Sequence, residues 1–114
     1  MLQISPLTGI FGAIVGNADL SQYDDELVVE MRQNLNKYKV LVVANQSHLS
    51  PEQLLRVAEE FGTAERAKHP IWADVPGHLG VKNIHTPDYP TGPDVGDSWH
   101  TDGPPRERVP SRGL

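Results

Sequence analysis

The sequence contains no cysteine, which removes disulfides, thiolate nucleophiles and sulfur-ligated zinc or iron clusters at a stroke. Any metal would have to sit on His, Asp or Glu. No apolar run approaches the roughly 20 residues of a membrane span. The start, Met1-Leu2-Gln3-Ile4-Ser5-Pro6, lacks the basic-then-apolar pattern of a signal peptide. The cytoplasm is therefore the expected location, and no membrane partner is expected. Basic residues are also sparse, with ten Lys and Arg against fifteen Asp and Glu and a net charge of −5. A nucleic-acid backbone is bound by clustered positive charge, so no nucleic-acid partner is expected either.

What is present is a globular composition, 38% hydrophobic and 22% charged, over 114 residues, a length suited to one domain. Ile10-Phe11-Gly12-Ala13-Ile14-Val15, an apolar run between glycines, predicts a strand. From Asp24 to Tyr38, Leu27, Met31, Leu35 and Tyr38 recur at the spacing of one helical face, with Asp24, Asp25 and Glu26 at its start. Lys39 to Ala44 is nearly unbroken in apolar, β-branched character and predicts a strand buried on both faces. Ser50-Pro51-Glu52-Gln53 writes a helix start: an N-cap, a first-turn proline and a capping box, with Leu49 set to staple onto Leu54. Leu54, Val57, Ala58 and Phe61 form the apolar face, and Gly62 ends the helix.

Beyond Thr63 the composition changes, and eight of the ten prolines lie from Pro70 onward. This stretch predicts loop, with one strand near Leu79 to Ile84. Long ordered loops are unusual unless they build a site. His48, His78 and His85 read as loop residues, and Asp24-Asp25-Glu26 as a helix-start cluster rather than a metal site.

The chemistry concentrates at Ser98-Trp99-His100-Thr101-Asp102. On an extended segment His100 and Asp102 project from one face. An imidazole beside a carboxylate supplies two ligands of the 2-His-1-carboxylate triad that holds non-haem iron(II). His-X-Asp alone is a weak motif that arises often by chance, and a hydrogen-bonded surface pair is the plain alternative.

The wider pattern resembles the taurine dioxygenase/2,4-D dioxygenase family. The similarity runs from Ile4-Ser5-Pro6-Leu7-Thr8-Gly9 through Ala18-Asp19-Leu20-Ser21, Val40-Leu41-Val42-Val43 and Gln46. It continues through Leu49-Ser50-Pro51-Glu52-Gln53, Phe61-Gly62 and His69-Pro70 to Trp99-His100-Thr101-Asp102-Gly103. The resemblance implies an α+β fold, an incomplete double-stranded β-helix (jelly roll) with flanking helices. It also implies oxygen activation by Fe(II) with 2-oxoglutarate as cosubstrate, for hydroxylation of a small organic substrate such as a sulfonate or related acid. His100 and Asp102 match the first two iron ligands, and His69 matches a histidine of the substrate pocket. Trp72 stands where taurine-specific members carry a tyrosine, and Gly96 where they carry an asparagine, which disfavours taurine itself.

Family members carry a second ligand histidine, and an arginine for the cosubstrate, well over a hundred residues beyond His-X-Asp. Here twelve residues follow Asp102, none of them histidine, and Arg106, Arg108 and Arg112 are too near in sequence to serve. Residues 1–102 are thus expected to be the N-terminal part of such a domain, and 103–114 an irregular tail that reads as truncated or frame-shifted. The expected product is an oxidoreductase by descent that is catalytically incomplete as this chain. Beyond the small-molecule substrate, its partner would be a second copy or a complementing C-terminal chain. The rival expectation is a non-catalytic fragment acting only by binding a partner chain.

Overall fold

The computed structural model describes residues 1–64, 66, 72–83 and 99. In chain order the elements are β1 (Ile4–Pro6), β2 (Ala13–Val15), α1 (Asp25–Tyr38), β3 (Leu41–Val43), α2 (Pro51–Phe61), β4 (Asp74–Val75) and β5 (His78–Lys82). β1, β2 and β3 form a mixed sheet in that order, with β1 antiparallel and β3 parallel to β2. The parallel pair requires a crossover, and α1 provides it. β4 and β5 form a separate antiparallel hairpin whose β5 strand packs on α2.

Both helices begin as their sequences dictate. The Asp24 carboxylate accepts the Leu27 amide at 2.9 Å and caps α1. Ser50 Oγ accepts the Gln53 amide at 3.2 Å, while Gln53 Oε1 accepts the Ser50 amide at 2.9 Å, closing the capping box of α2. α1 ends differently: Lys39 takes the left-handed conformation at φ 68°, and its N–H donates to the Leu35 carbonyl at 2.8 Å. That turn feeds the chain directly into β3.

The core is small. Leu2, Val15, Ala18, Leu20, Met31 and Val57 are buried together, with Ile4, Leu27, Leu41, Val43, Leu49 and Phe61 packed around them. The side chains of Ala13 and Val15 face this core from β2. The α1 stripe is rotated slightly from the expected one, since Val28 is buried alongside Met31 and Tyr38 while Leu27 and Leu35 are half-buried. Tyr23 ties the two helices, donating to Glu60 Oε1 at 3.2 Å beneath the Arg56 guanidinium. Burial and the neighbouring Glu60 carboxylate raise the pKa of its phenol above the ordinary value.

Four expectations need correction. Residues 10–12 belong to the turn between β1 and β2, not to the strand. Thr8 Oγ1 accepts the Phe11 amide and donates to the Phe11 carbonyl, and Gly12 sits at φ +76°. The β3 strand is not buried on both faces: Leu41 and Val43 meet the core, but Val40 and Val42 are 42% and 47% exposed. An all-apolar run cannot say how many of its faces find a cover. Leu54, placed by its spacing on the buried face of α2, is 44% exposed, whereas Val57 is buried and Phe61 packs against the core. His78 opens β5 rather than lying in a loop, because the turn through Gly77 at φ +79° starts the return strand at that residue.

Candidate metal and substrate site

Trp72 is half-buried and immediately precedes the β4–β5 hairpin. The hairpin is tied from inside. Asp74 Oδ1 accepts the Gly80 amide at 3.1 Å and the Lys82 ammonium at 2.6 Å, with both side chains about one-fifth exposed. The Asn83 amide donates to the Ala73 carbonyl at 2.9 Å and closes the hairpin's open end. A charge-assisted bond sheltered from water is stronger than its exposed equivalent. It holds the residues next to Trp72 in one register.

A second constellation joins the β2–α1 and β3–α2 loops. Gln46 spends its whole amide on this junction. Its Oε1 accepts the Leu20 amide at 2.9 Å, and its Nε2 donates to the carbonyls of Ala18 and Ala44, each at 2.7 Å. Beside it, Asp19 Oδ1 accepts from the Ser21 hydroxyl at 2.7 Å, the Ser21 amide at 2.9 Å and His48 Nε2 at 2.9 Å. Those donors lower the Asp19 pKa to about 2, the Ser21 hydroxyl contributing most and His48 next. His48 is exposed, as expected of a loop residue, but it has a carboxylate partner. The sequence signal for this junction was the Ala18-Asp19-Leu20-Ser21 segment and Gln46, both within the resemblance, though nothing local pairs them.

The residues expected to carry chemistry fall unevenly on this frame. Trp72 is placed as described. His69, His100 and Asp102 lie outside the described residues, as do His85 and Gly96. Among the described residues no group of three His, Cys, Asp or Glu side chains is arranged to hold a metal ion. Donor chemistry is the remaining test of fit. Imidazole and carboxylate two residues apart suit a divalent first-row metal, and no thiolate is present to favour a softer one. Among the described residues no helix is long and apolar enough to cross a membrane.

Comparison with known proteins agrees with this frame. Residues 3–113 match the family model described as taurine catabolism dioxygenase TauD, TfdA family. The chain belongs to that family. It is 35% identical over 102 residues to an alkylsulfatase of Acinetobacter baylyi, a match covering 89% of this chain and 30% of that protein. A crystal structure of a taurine dioxygenase from Burkholderia xenovorans superposes with a TM-score of 0.60 at 29% identity, covering 68% of this chain and 28% of the other. The structure of AAD-2 in complex with Mn(II) and N-oxalylglycine gives a TM-score of 0.54 at 28% identity, covering 66% of this chain and 28% of the other. The chain thus spans under a third of the length of each of these relatives.

Proposed function

We propose that this chain carries part of the active site of an Fe(II)- and 2-oxoglutarate-dependent dioxygenase, with His100 and Asp102 as iron ligands and His69 and Trp72 at the substrate. The observation that carries the reading is the family match through residue 113, which takes in Trp99-His100-Thr101-Asp102 in its family context. AAD-2 supports the cofactor assignment, since its structure holds a divalent metal with N-oxalylglycine, an α-keto acid analogue with the carboxylate spacing of 2-oxoglutarate. When bound, iron and 2-oxoglutarate would supply oxygen activation. The protein's own share is to hold the metal on two side chains, wall the substrate with Trp72 and exclude water. Both cofactors are available in the reducing cytoplasm, the location that fits the reading.

The substrate class is a small organic acid bearing a sulfur oxyanion, a sulfonate or an alkyl sulfate. Its support is the similarity to an alkylsulfatase and a taurine dioxygenase. An indole at position 72 keeps the apolar wall while giving up the phenol of taurine-specific members, which suits a longer alkyl tail. On this reading His100 and Asp102 would fill two ligand positions of the triad, and turnover requires a third ligand and a cosubstrate anchor besides them. The test is 2-oxoglutarate-dependent succinate release with alkyl sulfates and sulfonates, by the chain alone and after coexpression with the unmatched portion of the A. baylyi alkylsulfatase. The chain alone should not exceed the free-iron background. The coexpressed pair should turn over, and Asp102→Ala should abolish it. Turnover by the pair that is unaffected by Asp102→Ala would refute the assignment.

A further inference from the structure

The β4–β5 hairpin does not keep its register by backbone pairing alone. Asp74 and Val75 are adjacent, yet their partners Lys82 and His78 stand four residues apart, so Leu79, Gly80 and Val81 bulge out of the ladder. Gly80 takes φ +99°, in the left-handed region, and turns the chain within that bulge. The opposing strand β4 is two residues long. A short, interrupted ladder specifies register weakly, and a slip of one residue moves every side chain to the opposite face. One carboxylate spans the irregularity. Asp74 Oδ1 accepts the Gly80 amide from the bulge at 3.1 Å and the Lys82 ammonium beyond it at 2.6 Å. The pair is sheltered, with Lys82 20% and Asp74 23% exposed. Past it, the Asn83 amide on the Ala73 carbonyl extends the pairing one residue toward Trp72. Trp72 stands two residues before Asp74, the spacing at which extended residues share a face.

We infer that Asp74 and Lys82 are positioning residues, which fix the register of the hairpin and thereby the face on which the Trp72 indole stands. A sheltered ion pair suits that task better than an apolar contact. Apolar side chains pack in neighbouring registers with little distinction, whereas a slip parts carboxylate from ammonium and leaves each unpaired away from water. The pair therefore penalises wrong registers more than it stabilises the right one. Its consequence for substrate choice rests on the reading of Trp72 as a pocket wall. With the register set, the place of the indole is set, and so is the room beside it for an alkyl tail. The positioning itself requires neither metal nor substrate and is read directly on Trp72.

The experiment uses the 114-residue chain in which Trp99→Phe removes the second, fully exposed tryptophan, so that Trp72 alone reports. Acrylamide quenching reads the exposure of its indole, and hydrogen exchange of the Asn83 amide reads the end of the ladder beside it. Lys82→Met and Asp74→Asn each remove the charge pair, and Asp74→Asn keeps an oxygen that can accept from Gly80. Loss of a charge-assisted bond corresponds to about a tenfold rise in local opening, so Asn83 exchange should rise by that factor in both variants. Quenching of Trp72 should rise with it, and Lys82→Arg should retain the parental values of both. Glu59→Gln, which breaks the exposed ion pair with Arg66, should change neither. Unchanged quenching of Trp72 in Lys82→Met and Asp74→Asn would overturn the inference, even with a lowered melting temperature. So would loss of helix content by circular dichroism in both variants, since the pair would then hold the whole chain and not the indole. Hexyl sulfate added to the parent tests the substrate reading separately. Shielding of Trp72 from acrylamide supports a wall at the substrate, whereas no shielding counts against the wall and leaves the positioning intact.

Discussion

Gln46 offers the sharpest test of how the β2–α1 and β3–α2 loops are held together. Its amide replaces three backbone partners that the loops around Ala18, Leu20 and Ala44 would otherwise have to find in water. Each such bond is worth about 1 kcal/mol net, which sums to roughly 3 kcal/mol. Gln46 is half-buried, so water regains part of this, and about 2 kcal/mol is expected for Gln46→Met, which keeps the side chain's length and removes its polar head. A loss of that size raises the equilibrium population of the locally open state by about 30-fold. It should be read in the hydrogen exchange of the Leu20 amide together with the urea midpoint. Gln46→Glu separates the acceptor from the donors. The new carboxylate can still accept the Leu20 amide but faces the Ala18 and Ala44 carbonyls, which raises its folded-state pKa above the unfolded one. Its stabilising contribution is therefore complete below the unfolded value of about 4.3 and is lost as pH rises through the folded pKa. Gln46→Glu should thus approach the parent in acid and fall behind at neutral pH. A Leu20 amide that exchanges at the parental rate in Gln46→Met would refute the junction.

Two further predictions concern neighbouring features. Lys39→Gly should stabilise the chain by about 1 kcal/mol, because glycine takes the left-handed φ of 68° without a Cβ clash; a lower denaturation midpoint for the variant would contradict it. The Asp19 carboxyl should titrate near pH 2 by carbon-detected NMR, and Ser21→Ala should move that midpoint up toward the ordinary carboxylate value, since the Ser21 hydroxyl is the largest cause of the shift. With its folded pKa depressed, whatever Asp19 contributes to stability is present above about pH 4 and lost as pH falls toward 2. A parental Asp19 midpoint near 4 would contradict the geometry.

The two helices were legible because their signals are local. Asp24 caps Leu27 and Ser50 exchanges bonds with Gln53 within four residues of chain, so propensity, cap and apolar spacing agree. The strands β1 and β4 were not legible, for the opposite reason. Ile4–Pro6 is three residues long and ends in a proline, and it is a strand only because Ala13–Val15 pairs with it. Asp74–Val75 is two residues inside a proline-rich stretch and depends on the turn through Gly77. The face exposed on β3 was equally hidden, since Val40 and Val42 have the same composition as Leu41 and Val43 and differ only in what packs on them. At the proposed site the sequence argues from family context alone, since His69, His100 and Asp102 lie outside the described residues. Trp99-His100-Thr101-Asp102 carries its meaning through family context, whereas the Gln46 and Asp19–His48 ties join residues 26 to 29 positions apart.

The central claim is that His100 and Asp102 hold the metal, and a metal titration of the 114-residue chain tests it without requiring turnover. Isothermal calorimetry with Mn(II) as an oxygen-stable surrogate for iron(II) should show weak one-site binding, as expected of a site with two protein ligands. His100→Ala and Asp102→Ala should each weaken it further, while His48→Ala, remote from the His-X-Asp motif in the family pattern, should not. Equal binding by the parent, His100→Ala and Asp102→Ala would contradict the account.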